Sequence, residues 1–458
     1  MVVKKNLRRI YGLVMAVTTL VTMVSLAGTS LAAKEKVKIK VWTQSRHDAN
    51  YMTGMVNKFN KENKDNIEID YQIYSDNYQQ TLDLAFATGE APDVFYAATD
   101  VFEKRLALNE LTPLNKFLTP ADMKRFGKGA FIDRVDMANG KIYLLPAIGT
   151  TTRLVYNKGI FKRVGINAPP QTVAEMVKDA KLISDKLGKE GIFGYAQNFK
   201  SPASAIQRSI DLILMRSGGP TAGYDFKTGK YDFTGYKPIL KAYRDIFTTN
   251  GGFPGCESLD IDPLRTQFAA GKIGMYISYT HAEPGVYQNQ FPTKEDWDMA
   301  PLPTINGKVK GSNPIILAGG CFLMSGKTKH SEESWKVMKY LYSDELLAGY
   351  HENGLGIVLV PSVLKKARVP ETIKKWPAVQ FDKNDKIWPK GPAVRPEGKD
   401  MYQVFVEIIY GVTDLDKGLD DLNNRYNSTY NKAISDGRTE RIIYPGFDPA
   451  NPGKVFKQ

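Results

Sequence analysis

Four histidines, His47, His281, His330 and His351, are the side chains in this sequence most able to donate, accept or take up a proton near neutral pH. Their spacing matches no metal-ligand pattern, no HExxH helix occurs, and no Gly-x-Ser-x-Gly nucleophile elbow is present. The stretch from Gly320 to Thr328 has the composition of a phosphate loop, yet five residues separate Gly320 from Gly326 where that loop requires four. Residue spacing therefore points to no nucleophile and no metal. Carboxylates are plentiful enough that composition leaves a secreted glycoside hydrolase or lyase open as an alternative.

Two of the histidines fall where secondary structure should present them. From Phe268 the chain reads as a helix end, a glycine stop at Gly271, and a strand in which Met275 and Ile277 alternate with Tyr276 and Ser278. That strand delivers Tyr279-Thr280-His281 to a loop. Near the start, Val37, Ile39 and Val41 alternate with lysines and lead into the polar loop Trp42 to His47. Met52, Met55, Val56 and Phe59 then mark the buried face of a helix, and Ile67, Ile69, Tyr71 and Ile73 the next strand. In such a β-α-β unit the loop after the first strand lies at the carboxyl end of the sheet, where open α/β sheets hold ligands.

Along the rest of the chain, a helix from Tyr78 to Ala87 and a strand Asp93 to Tyr96 extend the alternation, which argues for a sheet covered on both faces. Two strand-like runs, Gly140 to Pro146 and Leu154 to Lys158, flank a small-residue segment suited to crossing between domains. Thr172 with Glu175 forms a capping box ahead of a helix striped by Met176, Val177, Ala180, Ile183 and Leu187. Further helices are expected around Ala205 to Met215 and Ile239 to Phe247. Others carry Trp335, Met338, Leu341 and Tyr342, then Phe405, Ile408 and Ile409, then Leu419, Leu422 and Tyr426.

Lys4, Lys5, Arg8 and Arg9 precede an apolar run from Ile10 to Leu26 and small residues at Gly28, Ser30, Ala32 and Ala33. This is the pattern of a cleavable signal peptide over 1–32. No cysteine stands near the cut, so a lipid anchor there is not expected, and with no second long apolar run the mature protein is expected to be soluble. The 458 residues suggest two or three domains. The formal net charge of +13, four cations of which belong to the leader, fits an anionic partner or simply a solubilising surface. Nucleic-acid binding has only that charge behind it, without a basic aromatic motif. Cys256 and Cys321 are too few for a disulfide framework.

Taken in order, Pro92-Asp93-Val94, Leu144-Leu145-Pro146 with Val155-Tyr156-Asn157-Lys158, Pro169-Pro170-Gln171-Thr172, Phe268 to Met275, Pro301-Leu302-Pro303 and Ala318-Gly319-Gly320 resemble the extracellular solute-binding proteins of the large sugar-binding family that includes the maltose-binding protein. The resemblance runs over essentially the whole mature chain. It implies an α/β, two-lobe periplasmic-binding-protein fold of type II, with discontinuous lobes joined by a hinge and a ligand cleft between them. The implied lobes are 33–150 plus 314–355 and 151–313 plus 356–458, which would put Cys321 and Cys256 on opposite lobes as free thiols. The implied function is substrate capture for an ABC importer, in the periplasm or elsewhere outside the cytoplasm. The protein would act as a monomer with no enzyme activity, cofactor, metal or nucleic acid, and would deliver a carbohydrate or related small solute to permease transmembrane subunits.

Sugars offer hydroxyls in the ring plane and apolar faces above it, so their sites need aromatic platforms and polar side chains at the rim. The resemblance places Gln44, Arg46 and His47, Tyr96 and Asp100, Thr151 and Arg153, Phe199, His281, and Trp388 with Arg395 at the cleft. The residue reading beside it is that Tyr96, Phe199 and Trp388 are core aromatics and that Asp100 and Arg153 form a structural ion pair. The family usually places a tryptophan near the position of His281. With Arg46, His47, Arg153 and Arg395 as neighbours, the departure makes an acidic oligosaccharide such as a uronide a candidate ligand.

Overall fold

The computed structural model describes residues 36–74, 77–97, 101–127, 130–317 and 321–456. The expected signal peptide, Asp100 and the Ala318-Gly319-Gly320 motif lie outside them.

The alternating apolar residues of Val37–Thr43 pair in parallel with Ile67–Ile73, Val37 opposite Ile67, and with Val94–Tyr96, Val41 opposite Val94. The helix Ala49–Glu62 makes the crossover, burying Met52, Val56 and Phe59. Phe322–Met324, from far along the chain, runs antiparallel to Val94–Tyr96 and completes a four-stranded sheet. Because Val37–Thr43 and Val94–Tyr96 are parallel, the loop Gln44 to His47 and the segment after Tyr96 leave the same edge.

A second four-stranded sheet is built around Ile273–Tyr279. That strand runs antiparallel to Thr152–Asn157 and parallel to Phe193–Tyr195, and Trp297–Ala300 pairs with the far side of Thr152–Asn157. Gly271, at φ +71°, ends the preceding helix Ile261–Ala269 in the left-handed turn that its position called for. The alternation of Met275 and Ile277 with Tyr276 and Ser278 does not separate a core face from a wet one. All four are fully buried, because this central strand has protein on both faces.

Close approach on one of those faces depends on Gly194, where a Cβ would lie 2.1 Å from the carbonyl oxygen of Ala180 in the helix Val173–Leu187. Gly194→Ala is expected to push that helix off the sheet at a cost of about 1–3 kcal/mol, read as a lower denaturant midpoint at unchanged slope.

The chain passes from one sheet to the other through Ile148–Thr150, which pairs antiparallel with both Ile316–Leu317 and Ile357–Val358. Around these crossings lie two hydrophobic cores. One draws on residues 39–148 and 321–363. The other draws mainly on 154–302 and 373–447, where Met401–Ile409 and Leu415–Ser435 pack with Lys237–Thr248. Cys321 belongs to the first and Cys256 to the second, and the two are not joined in a disulfide. Burial pushes their thiols up, to about 11 and about 12, so neither is a ready nucleophile. Among the described residues no helix is long and apolar enough to cross a membrane.

Candidate functional site

The loop that follows Thr43 is drawn tight by Ser45, whose backbone N–H donates to the Thr43 hydroxyl at 3.1 Å. Beyond it His47 is anchored from behind. Its Nε2 lies 3.1 Å from the carbonyl oxygen of Leu355 and 3.1 Å from the Tyr350 hydroxyl, which itself donates to Asp48 Oδ2 at 2.8 Å. A carbonyl can only accept, so Nε2 carries the proton. In the neutral ring Nδ1 then presents a lone pair.

The second sheet supplies the opposing loop. Strand Ile273–Tyr279 ends at Thr280, and His281 sets its Nδ1 2.7 Å from the hydroxyl of Thr150 on the crossing segment. The two imidazoles meet with ring centroids 4.6 Å apart and planes at 64°. Burial first, then the neighbouring His47, Arg265 and Arg208, holds His281 well below the usual histidine range, so it is neutral at pH 7.

Beneath this tip a carboxylate organises the turn. Glu283 is wholly buried and takes Arg265 through Nε at 3.1 Å and Nη2 at 2.7 Å, the Ser278 hydroxyl at 2.6 Å and the Tyr276 hydroxyl at 2.8 Å. The Tyr287 hydroxyl lies 2.6 Å from that of Tyr276. Arg208 lies over the ring of Tyr279 and reaches the Ser278 hydroxyl at 3.4 Å. Outside, Arg46 pairs with Asp262 at 3.4 Å, joining the first loop to helix Ile261–Ala269. Both partners are solvent-accessible, so that link contributes no more than about 1 kcal/mol.

Between the loops lies a cavity of about 380 Å3. One side carries Arg46, His47 and Asn50 with Asn353 to Leu355. The other carries His281, Gly285, Gln288 to Gln290 and Thr372. Five of these side chains are carboxamides, each able to donate and accept at once. Among the described residues the lining contains no carboxylate and no phenylalanine, tyrosine or tryptophan.

Of the residues expected at the cleft, Arg46, His47 and His281 line this cavity together. The others are placed differently. Gln44 is half-buried beside the loop. Tyr96 is buried in the first core, where its carbonyl accepts from the Tyr78 hydroxyl at 2.8 Å. Thr151 is buried at the crossing and donates to the carbonyl of Pro314 at 3.0 Å. Phe199 packs edge-on against Phe247 and Tyr410 in the second core. Trp388 is buried against Phe447, with its ring N–H on the Ser312 hydroxyl at 2.8 Å. Arg395 is exposed and is not part of the cavity wall.

Arg153, only 1% exposed, is committed elsewhere. Its guanidinium grips Asp385 at 2.6 and 3.1 Å and the carbonyls of Ala378 and Gln380, so its ionic partner among the described residues is Asp385. The sequence reading missed the carboxamides. Gln288-Asn289-Gln290 sits in the π-helical turn Val286–Gln290, and a run of three amides next to the His281 loop was the available signal. Asn353-Gly354, a turn dipeptide, was the other.

A family model described as bacterial extracellular solute-binding protein matches residues 44–346. A binding protein of Brucella abortus (strain 2308) is 24% identical over 229 residues, covering 49% of this chain and 53% of that protein. The chain thus spans about half the length of the first curated relatives it matches. The maltodextrin-binding protein MdxE of Bacillus subtilis (strain 168) is 25% identical over 335 residues, 69% of this chain and 72% of that one. Among solved structures, a chitin oligosaccharide binding protein superposes with a TM-score of 0.71 at 18% identity, covering 86% of this chain and 99% of that one. A maltose/maltodextrin-binding domain from Bdellovibrio bacteriovorus bound to maltotriose gives a TM-score of 0.64 at 17% identity over 87% and 100% of the two chains. At such identities the likeness is one of fold.

Proposed function

Because the chain belongs to the bacterial extracellular solute-binding protein family, we propose that it captures a carbohydrate outside the cytoplasm and passes it to the transmembrane subunits of an ABC importer. The observation that carries this reading is the cavity itself, walled by loops of both cores and rich in side chains that pair with hydroxyls. In this reading the lobes are 33–150 plus 314–355 and 151–313 plus 356–458, the leader 1–32 directs export, and the crossings around Thr150 are the hinge. A ligand touched by both lobes only when they close binds the closed form better, and that difference in affinity drives closure.

Family members are binding proteins, and the lining suits a non-catalytic role here. Glycoside hydrolysis needs a pair of carboxylates flanking the scissile bond, whereas this wall carries amides and imidazoles. The test is a thermal-shift screen over neutral and acidic saccharides, followed by recovery of each hit. A tight ligand at 100 to 1,000 times its dissociation constant adds about 3–4 kcal/mol and should be returned uncut. A screen with no stabilising saccharide, or recovery of cleaved product, overturns the proposal.

A further inference from the structure

The stretch from Pro361 to Trp376 carries Lys365, Lys366, Arg368, Lys374 and Lys375 against a single carboxylate of its own, Glu371. Local packing decides which of its side chains face out. After the strand Ile357–Val358, the Val360 carbonyl accepts from the N–H groups of Val363 and Leu364, and the Val363 carbonyl from those of Lys366 and Ala367. That coils the chain into a tight turn. Val363, Pro370 and Ile373 are buried and pin it to the protein, whereas Leu364 is left 41% exposed and Val369 50% exposed.

Two of the five cations are engaged. Arg368 is held by Glu352, through Nε at 3.0 Å, Nη2 at 2.8 Å and its backbone N–H at 3.0 Å, and Lys374 pairs with Glu371. Lys365, Lys366 and Lys375 are exposed and have no ion-pair partner among the described residues, and Lys375 lies over the ring of Trp376 at 4.4 Å. The stretch is thus held in shape while presenting three uncompensated ammonium groups and two branched apolar side chains. A single exposed aliphatic side chain calls for no explanation. Two of them set among unpaired lysines make the combination that an anionic bilayer surface takes, with ammonium groups on phosphates and aliphatic groups and lysine stems in the headgroup layer.

We propose that the stretch Leu364 to Lys375 is a membrane-surface contact, seating this protein on anionic lipid headgroups through Lys365, Lys366 and Lys375, with Leu364 and Val369 entering among them. An acidic protein surface would answer the charges but leave the two apolar side chains without a role. The contact is superficial, since no described helix is long and apolar enough to cross a membrane. Thr372, within the stretch, lines the cavity between the two cores, so seating brings that wall close to the bilayer in which importer subunits would lie. The inference goes beyond the proposed function and does not depend on what enters the cavity.

The experiment is co-sedimentation of the chain from residue 33, free of the leader's own cations and apolar run, with vesicles. One set is phosphatidylcholine alone and the other contains about 30% phosphatidylglycerol, each at low salt and at about 0.5 M salt. The unaltered protein should bind only the anionic vesicles and be released by salt. Each lysine close to an anionic surface contributes a factor of about five, so Lys365→Gln/Lys366→Gln/Lys375→Gln should bind about 100-fold less. A charge-matched control, Lys227→Gln/Lys230→Gln/Lys241→Gln, removes three exposed lysines elsewhere and should bind like the unaltered protein. Leu364→Ser/Val369→Ser keeps every charge and should weaken vesicle binding without changing binding to soluble polyglutamate.

No binding to anionic vesicles, binding that survives loss of the three lysines, or an equal loss in the control variant overturns the inference. So does polyglutamate binding that requires Leu364 and Val369, which would reassign the stretch to an acidic protein surface. None of these outcomes bears on the saccharide screen, which is read without lipid.

Discussion

Asp385→Ala is expected to remove about 3–5 kcal/mol of stability, because it strands the Arg153 guanidinium in the protein interior. The pair is closed to water on both sides, with side-chain exposures of 1% and 0%. Arg153 would keep the carbonyls of Ala378 and Gln380 but lose both charged contacts, and Asn313 and the Asp382 backbone N–H would each lose an acceptor. These bonds tie the segment from Ala378 to Asp385 to the strand that emerges from the crossing at Thr151. The measurement is urea unfolding of the single variant beside Arg153→Met and the double variant. The double variant should recover much of the loss, since a buried ion pair replaced by apolar groups of similar volume is often close to neutral. A loss below about 1 kcal/mol for the single variant would mean that water reaches this pair.

Glu283→Ala should be of comparable size and should also damage binding. Arg265 would be left with Asp262 alone, and the buried hydroxyls of Ser278 and Tyr276 would lose their carboxylate acceptor. A cost of about 3–5 kcal/mol follows from the uncompensated guanidinium. The binding effect follows from position, because Glu283 holds the turn that orients His281 two residues before it. Glu283→Gln separates the two consequences. It keeps an acceptor for one hydroxyl and should retain more stability than the alanine variant, while the lost charge still loosens the turn. Equal binding by wild type and Glu283→Ala at a temperature where both are folded would show that the tip is held by other contacts.

Much of the scaffold was legible because it is written in local periodicity. Met52, Val56 and Phe59 announce a helix face, Thr172 and Glu175 cap a helix reciprocally as their spacing requires, and Gly271 ends one. The strand before His281 was legible too, though its double burial was not, since a central strand is defined by neighbours from elsewhere in the chain.

The site divides along the same line. Arg46, His47 and His281 follow strands, His47 at the kind of edge where open α/β sheets hold ligands, and the three meet in the cavity. Arg153, Phe199 and Trp388 have the right chemistry for a sugar cleft but are claimed by partners that local sequence cannot disclose: Asp385, Phe247 with Tyr410, and Ser312 with Phe447. With Arg153 consumed and Arg395 away from the wall, the arginines expected around the ligand reduce to Arg46, which lines the cavity in a loose, solvent-accessible pair with Asp262. The carboxamides escaped notice for the opposite reason. Polar residues without periodicity read as loop, and only the fold shows that 288–290 and 353 face one another across a cavity.

The central claim is that a saccharide is held between loops of the two cores at this cavity, and hydrogen exchange of the full chain with and without a saturating saccharide tests it most directly. The account predicts slowed exchange in three separate segments at once: 45–50, 281–290 and 353–355. Protection confined to the segments of one core, or protection elsewhere with these three unchanged, would contradict it.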